Sequence, residues 1–407
     1  MTSPTLGRRS ISLAMMAVIV GLILAGRVPF LGFETADAHF YVLPWYADLA
    51  THGYRALGRE APVDPSFRGG LYSPPFYYLL YLATRFDGLL PPLYLVKGIA
   101  TCWDMALAGL VFLIVRRVTG ATFRAQVGFL LTLAAPTVVA NSAVWGQSDA
   151  VYSTFLLAAV YASLTRRDVL ACLAMGGALA FKAQTIFLAP YLLLLLVAGR
   201  LSWWRTAAIP LAYVALMLPA WILGRPLVDM LLAYVRQGGL YQKLSMNAPN
   251  LYYLMPDGFY SAGVVAGSLL TVVLSVGYAV LPRKRRAAWS DSFLLLAATV
   301  SLAAVPFVLP KMHDRYFFPA DVLSIALALV VPRLWFVPIL FQLSSGLSYV
   351  PAISDAFHNF DYEYVALMPV AVLINACLVP FLIAVYWREA TEGGAVHAGQ
   401  EPGAARS

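Results

Sequence analysis

Residues 34–75, ETADAHFYVLPWYADLATHGYRALGREAPVDPSFRGGLYSPP, form a 42-residue polar interruption in a chain whose hydrophobic segments otherwise follow one another almost without a break. Glu34, Asp37 and His39 fall within six residues, followed by aromatics and then a Tyr-Ser-Pro-Pro turn. Apolar scaffold alone has no use for such a stretch. Over FYVLPWYADLATH the aromatics and leucines recur at helical spacing, which predicts an amphipathic helix lying along a membrane interface. PPFYYLLYLATRF predicts a second interfacial or re-entrant helix, opened by prolines whose missing N–H groups cost nothing in a first turn. Non-helical backbone at membrane depth must line a cavity walled by protein, so the stretch is expected to fold back as the roof of one.

Outward from this interruption the chain is apolar. Its 407 residues are 61% hydrophobic and 12% charged, with a mean hydropathy of +0.74. A chain so poor in polar groups cannot cover itself with polar surface, which excludes the soluble globular class. The fold class expected is an all-α polytopic membrane protein. A bilayer core of about 30 Å takes roughly 20 apolar residues per helix. Candidate spans lie near 11–31, 92–115, 125–143, 149–165, 168–181, 184–199, 206–223, 260–281, 291–309, 317–332, 334–350 and 365–386. That is about twelve helices, within a range of roughly 10–13.

Basic residues set the expected orientation. With a cytoplasmic N-terminus, Arg8, Arg9, Arg116, Arg117, Arg124, Arg166, Arg167, Arg200, Arg205, Arg283, Lys284, Arg285, Arg286, Arg333 and Arg388 all fall on the inner side, in the short connections where the positive-inside rule operates. The net charge of +8 is then orientation, and the PRKRR run at 282–286 is a topology signal; no nucleic-acid partner is expected. Cys102, Cys172 and Cys377 fall in expected spans and make no disulfide framework. The basic, apolar N-terminus resembles a signal peptide, but without a small-residue cleavage site it reads as a retained first helix. Residues 1–386 are expected as a single transmembrane domain with connections 32–91 and 224–259 on the outer side. Residues 387–407 are expected as a disordered cytoplasmic tail. The location expected is a bacterial inner membrane, with both termini cytoplasmic and the working face toward the periplasm.

Four polar clusters are sent to that outer face. Asp37 and His39, with Glu34, follow the first span. NSAVWGQSDA brings Trp145, Gln147 and Asp149. Lys182 and Gln184 occupy the short break in ALAFKAQTIFLAP. VLPKMHDRYFFPAD brings Lys311, His313, Asp314 and Arg315. Ionisable groups at bilayer depth are costly and usually serve a site or a pathway. Each has a plainer alternative. Asp37 reads either as a solvated loop carboxylate or as a base oriented by Glu34 and His39. Asp149 reads as a helix cap, or as part of a turn whose free N–H groups suit an anion. Lys182, between two apolar spans, needs a counter-charge. Arg315, Lys311 and His313 make either a cationic patch over a cavity mouth or a snorkelling belt. Asp104 is expected to pair within the bundle.

A cavity holding a carboxylate and several cations suits a lipid that carries a phosphate, its tail in the bilayer and its headgroup at the outer face. Group transfer from such a lipid needs the leaving phosphate stabilised and an acceptor hydroxyl deprotonated. The chain has no GxGxxG before a helix, no GKS or GKT, no HExxH and no Cys/His metal spacing. A transporter or lipid flippase is the alternative function. It calls for charge near the bilayer middle and discontinuous helices in paired halves, whereas most charges here sit at helix ends. A non-catalytic subunit of a membrane assembly would give no reason for Asp37, Lys182 and Arg315 to meet.

The same residues carry a family likeness. Asp37 with Trp45, YSPPFYYLL at 72–80, WDMALAGLVFLIVRR at 103–117, NSAVWGQSDAVYSTFLLAAVYA at 141–162, ALAFKAQTIFLAP at 178–190 and KMHDRYFFPAD at 311–321 resemble the GT-C superfamily. They are most similar to its bacterial branch related to the eukaryotic GPI mannosyltransferases, over roughly residues 30–325. The resemblance implies a polytopic, GT-C-like enzyme moving a hexose, mannose favoured, from a polyprenyl-phosphate sugar to a glycan, lipid or protein acceptor, with inversion, among membrane lipids. It implies Asp37 as catalytic base, Trp145, Gln147 and Asp149 near sugar or acceptor, and Arg315, then Lys182, on the lipid phosphate. Lys182 and Gln184 match an FKPQ-like element in which Ala183 replaces proline. His313 and Arg315 match an MHERYFFP-like element in which Asp314 replaces glutamate. Some related enzymes hold a divalent metal on an acidic-x-acidic pair. Asp37-Ala38-His39 is not such a pair, so no cofactor is expected, with an ion shared by Asp37 and Asp149 as the alternative.

Overall fold

Ser12 accepts the Met15 N–H through its side chain and starts α1, Leu13–Ala25, which buries none of its residues. A helix apolar on every side, resting only partly on the later helix Thr122–Ala134 and burying no residue fully, belongs against lipid. The computed structural model describes residues 10–60, 73–239, 241–282, 289–354 and 367–392. Most of the PRKRR run, Tyr72 of the YSPP turn and residues 393–407 lie outside them. The first interruption contains the two helices its spacing predicts, α2 (Leu43–His52) and α3 (Pro74–Ala83, with prolines in its first turn). Then follow α4 (Pro92–Thr119), α5 (Thr122–Ala134) and α6 (Pro136–Trp145), which is bent by 46° from α5. Pro136 breaks the run because it has no N–H to continue the ladder.

The remaining helices are α7 (Asp149–Leu164), α8 (Asp168–Phe181), α9 (Ala189–Val197), α10 (Ala208–Ile222), α11 (Leu227–Leu231) and α12 (Ala233–Gly238). They continue with α13 (Tyr260–Val280), α14 (Asp291–Val308), α15 (Phe318–Val330), α16 (Phe336–Ser354) and α17 (Met368–Glu392). The chain is thus an all-α, multi-pass membrane fold. Among the described residues seven helices are long and apolar enough to cross a bilayer, or eight if α5 and α6 count as one broken span. The expectation of about twelve is met only by adding four shorter apolar helices, which include α7, α8 and α15. The physical reason is burial. α7, α14 and α15 form the inner layer, enclosed by α4, α8, α16 and α17, and α7 and α15 bury nearly all their side chains. A helix surrounded by protein has no need to match bilayer thickness. The last helix runs to Glu392, so residues 387–392, expected as part of a disordered tail, are helical.

One small sheet fixes the far side of the site. β1 (Ser245–Met246) pairs in parallel with β2 (Met312–His313), tying the connection after α12 to the loop between α14 and α15. Lys311, at φ 65°, is a non-glycine residue in left-handed space. It is held there by its N–H on the Leu244 carbonyl at 2.7 Å and its Nζ on the Tyr241 carbonyl at 2.6 Å. Such strain persists where surrounding bonds over-determine it, and here it aims the next residues, through Arg315, inward.

Candidate active site

The centre of the site is a carboxylate the chain has sealed. Asp149 opens α7 and is fully buried. Its Oδ2 accepts from Asn141 Nδ2 at 2.9 Å, its Oδ1 accepts from Lys182 Nζ at 2.6 Å, and Arg315 Nε lies 3.5 Å from Oδ2. Lys182 therefore has the counter-charge its position demanded. Tyr152, one turn along α7, places its ring 5.6 Å beneath the ammonium.

Asp37 stands beside this pair and is the open carboxylate, its side chain 33% exposed where that of Asp149 is 0%. Trp145 Nε1 donates to its Oδ2 at 3.0 Å, and Gln147 Nε2 to the same oxygen at 2.5 Å. Arg315 Nη1 lies 3.9 Å away, with its guanidinium 5.2 Å over the Trp145 ring. The turn presenting Trp145 and Gln147 depends on Gly146, at φ 78°, a conformation that costs a side chain about 1–2 kcal/mol. The Gln147 N–H folds back onto the Asn141 carbonyl at 2.8 Å, and Thr35 Oγ1 donates to the Trp145 carbonyl at 3.0 Å. Two connections far apart in sequence are thereby locked together at Asp37.

Lys97 and Arg27, neither singled out in sequence, secure the approach to Asp37. Lys97, fully buried on α4, donates to the carbonyls of Phe30 at 2.8 Å and Phe33 at 2.5 Å. Arg27 pairs with Asp104 at 2.5 Å and donates to the Leu133 carbonyl at 2.6 Å; Asp104 is the bundle pair its position suggested. A small, mostly apolar pocket is lined by Phe76, Leu80, Val96, Ile99 and Gln147.

On the opposite wall, Asp314 Oδ1 accepts the Arg315 N–H at 2.8 Å and faces Arg315 Nη1 at 3.4 Å. The Asp314 N–H donates to the Met246 carbonyl at 3.0 Å, and Ser348 Oγ donates to the Asp314 carbonyl at 3.0 Å. Burial, with Asp37 and Asp149 nearby, outweighs Arg315 and raises the Asp314 carboxyl to about 7. The His313 ring packs on Tyr316; burial first, then Arg315 and Lys182, lower it to about 3, so it is neutral at ordinary pH.

Asp37, Trp145, Gln147, Asp149, Lys182 and Arg315 are therefore brought together. The other candidates are not. Glu34 and His39 pair with each other 2.5 Å apart, both well exposed, and give Asp37 no hydrogen bond among the described contacts. Gln184 is half-buried and makes no side-chain hydrogen bond among the described residues. Lys311 is engaged by Tyr241 and Tyr260. Asn141 and Asp314 join the cluster without having been chosen as site residues. Their signal was adjacency: each belongs to a stretch already singled out.

No three His, Cys, Asp or Glu side chains converge as a metal set among the described residues. The place an ion shared by Asp37 and Asp149 would take is filled by the Arg315 guanidinium, which faces both. The donor set therefore suits an organic cation rather than a divalent metal.

No known family profile and no curated protein matches the sequence. The fold is similar to two crystal structures of ArnT from Cupriavidus metallidurans. One is bound to undecaprenyl phosphate, with a TM-score of 0.50 at 15% identity over 93% of this chain and 78% of that one. The other is the apo state, with a TM-score of 0.51 at 15% identity over 93% and 77%. At this identity the likeness is one of fold: the chain shares the polytopic helical architecture of these two structures.

Proposed function

We propose that the protein is a glycosyltransferase that moves a hexose from a polyprenyl-phosphate sugar to an acceptor hydroxyl, with inversion, at the periplasmic face of a bacterial inner membrane. The observation that carries this reading is the opposed pair at the site, an open carboxylate, Asp37, facing a guanidinium, Arg315, on a bundle of this fold. Asp37 takes the proton of the acceptor hydroxyl. The hydroxyl oxygen forms a bond to the anomeric carbon while the bond from that carbon to the phosphate oxygen breaks. Polyprenyl phosphate leaves with the electron pair, its developing charge met by Arg315 with Lys182 behind it. A phosphate leaving group needs no strong general acid.

Asp149 is excluded as the base by its sealing, since a general base must come within hydrogen-bond reach of the proton it removes. Trp145 and Gln147 fix Asp37 through one oxygen, leaving Oδ1 for the acceptor. Trp145 and Gln147 also border the space a sugar would occupy. The likeness to the mannosyltransferase branch favours mannose, and the undecaprenyl phosphate bound by one ArnT structure supports a polyprenyl carrier.

The test is transfer by the reconstituted full chain supplied with polyprenyl-phosphate mannose. Asp37→Asn is expected to keep its fold and lose about 10²–10⁴-fold in turnover, the range a positioned general base contributes. Wild-type turnover in that variant removes Asp37 from the role. Lipid translocation without any sugar transfer by the wild-type chain makes the protein a flippase instead.

A further inference from the structure

The cations nearest Asp37 are already opposed. Lys182 and Arg315 face three carboxylates, Asp37, Asp149 and Asp314, so the cluster offers an arriving anion little unopposed positive charge. Arg225 is different. It is 3% exposed and has no carboxylate within ion-pairing distance among the described residues. Among the described residues its Nε has no hydrogen-bond partner, and its guanidinium lies 5.9 Å from the centroid of the Tyr77 ring. Arginine keeps its charge under all ordinary conditions, and a buried unpaired charge is strongly unfavourable. Such a group is matched to an anion.

Its setting indicates which kind of anion. Gly224, at φ 109°, turns the chain sharply after α10, so that the Arg225 N–H returns to the Ala220 carbonyl at 3.0 Å and the side chain is carried inward. The residues just before the turn, Trp221, Ile222 and Leu223, stay 50%, 79% and 37% exposed, an apolar edge suited to lipid. On the inner side Arg225 meets Tyr77 of α3, and Phe76 and Leu80 of the same helix line a small pocket together with Gln147, the residue holding Asp37. Arg225 thus sits between a lipid-facing edge and the wall of the site.

We infer that Arg225 receives the phosphate of the lipid-linked donor, drawn in from the bilayer side of α10 and α3. The inference rests on the glycosyl-transfer reading and deepens it. It gives the phosphate a cation that no carboxylate among the described residues neutralises, and leaves Arg315 to the oxygen that departs from the anomeric carbon.

The experiment compares binding of polyprenyl phosphate and of the matching polyprenol to the full chain in nanodiscs. Hydrogen bonds to charged groups are among the stronger ones, so wild-type protein should prefer the phosphate by about ten-fold or more. Arg225→Gln should reduce that preference to about two-fold or less, while Arg225→Lys retains part of it. Lys243→Gln, an exposed cation in the same connection, should leave it intact. Arg225→Met should melt no lower than wild type, since no partner is orphaned. A clearly lower melting temperature in Arg225→Met than in wild type assigns Arg225 to a structural contact and overturns the inference. Full preference in Arg225→Gln overturns it as well. Absence of any preference in the wild-type chain removes the polyprenyl-phosphate reading itself.

Discussion

At the scale of single residues the site is a division of labour between two aspartates. Asp149 is sealed beneath Lys182, Asn141 and Arg315, whereas Asp37 is held from one side and open on the other. Breaking a buried ion pair by removing one partner costs about 3–5 kcal/mol, because the remaining charge is left uncompensated. Asp149→Asn should therefore lower the melting temperature steeply, with Lys182 its main orphan. Lys182→Met should cost less, since Asp149 keeps Arg315 and Asn141. The double variant should melt above Asp149→Asn alone, a non-additivity that marks direct coupling; simple additivity would show that the two do not depend on each other. Lys182 announced itself in sequence because an ammonium between apolar runs must have a partner. The partner's identity was not legible, because Asp149 lies thirty-three positions away and only the packing of α7 on α8 brings them together. Lys97 gave no comparable signal: a single lysine inside a long apolar helix looks the same whether it snorkels or, as here, holds two carbonyls.

At the scale of elements, the break between α6 and α7 does most to build the site. The π turn at Ala140–Trp145 ends on Gly146, after which Gln147 and Asp149 are delivered within three residues to two different carboxylate environments. A Cβ at position 146 would meet only the stem of Lys97 at ordinary contact distance, 3.5 Å. The cost of a substitution is therefore conformational. Gly146→Ala should destabilise by about 1–2 kcal/mol and reduce turnover by loosening Trp145 and Gln147, while Gly146→Asn, better tolerated in left-handed space, should recover part of both. Thermal melts and initial rates on the three proteins check this, and a fully active Gly146→Ala chain would mean that the turn does not hold Asp37. The amphipathic helices of the first interruption were legible from spacing and from the paired prolines. The span count was not, because hydropathy registers a short buried helix and a full membrane crossing alike. Arg225 gave no distinguishing signal, because Arg55, Arg59, Arg85, Arg236 and Lys243 lie in the same outer connections.

At the scale of the whole molecule, the loop between α14 and α15 makes stability depend on pH through two groups of opposite sign. Asp314 has a folded value of about 7 against an ordinary 3.8, so between those limits the native chain retains a proton that the unfolded chain has lost. Its stabilising effect is complete below about 4 and declines as pH rises toward 7. His313 has a folded value of about 3 against an ordinary 6.5, so the unfolded chain gains a proton that the native chain refuses. Stability from that group is complete above about 6.5 and declines as pH falls toward 3. Between about 4 and 6.5 the two slopes oppose, and the wild-type melting temperature should vary little from this source. His313→Gln should unmask Asp314, giving a melting temperature that falls as pH rises from 4 to 7. Asp314→Asn should unmask His313, giving one that rises over the same interval until about 6.5. Neither variant removes the backbone bonds that join residues 245–247 to 311–314, so the comparison isolates charge from the integrity of the strap. Parallel pH profiles for the two variants would show that this loop is not where the protein's pH response originates.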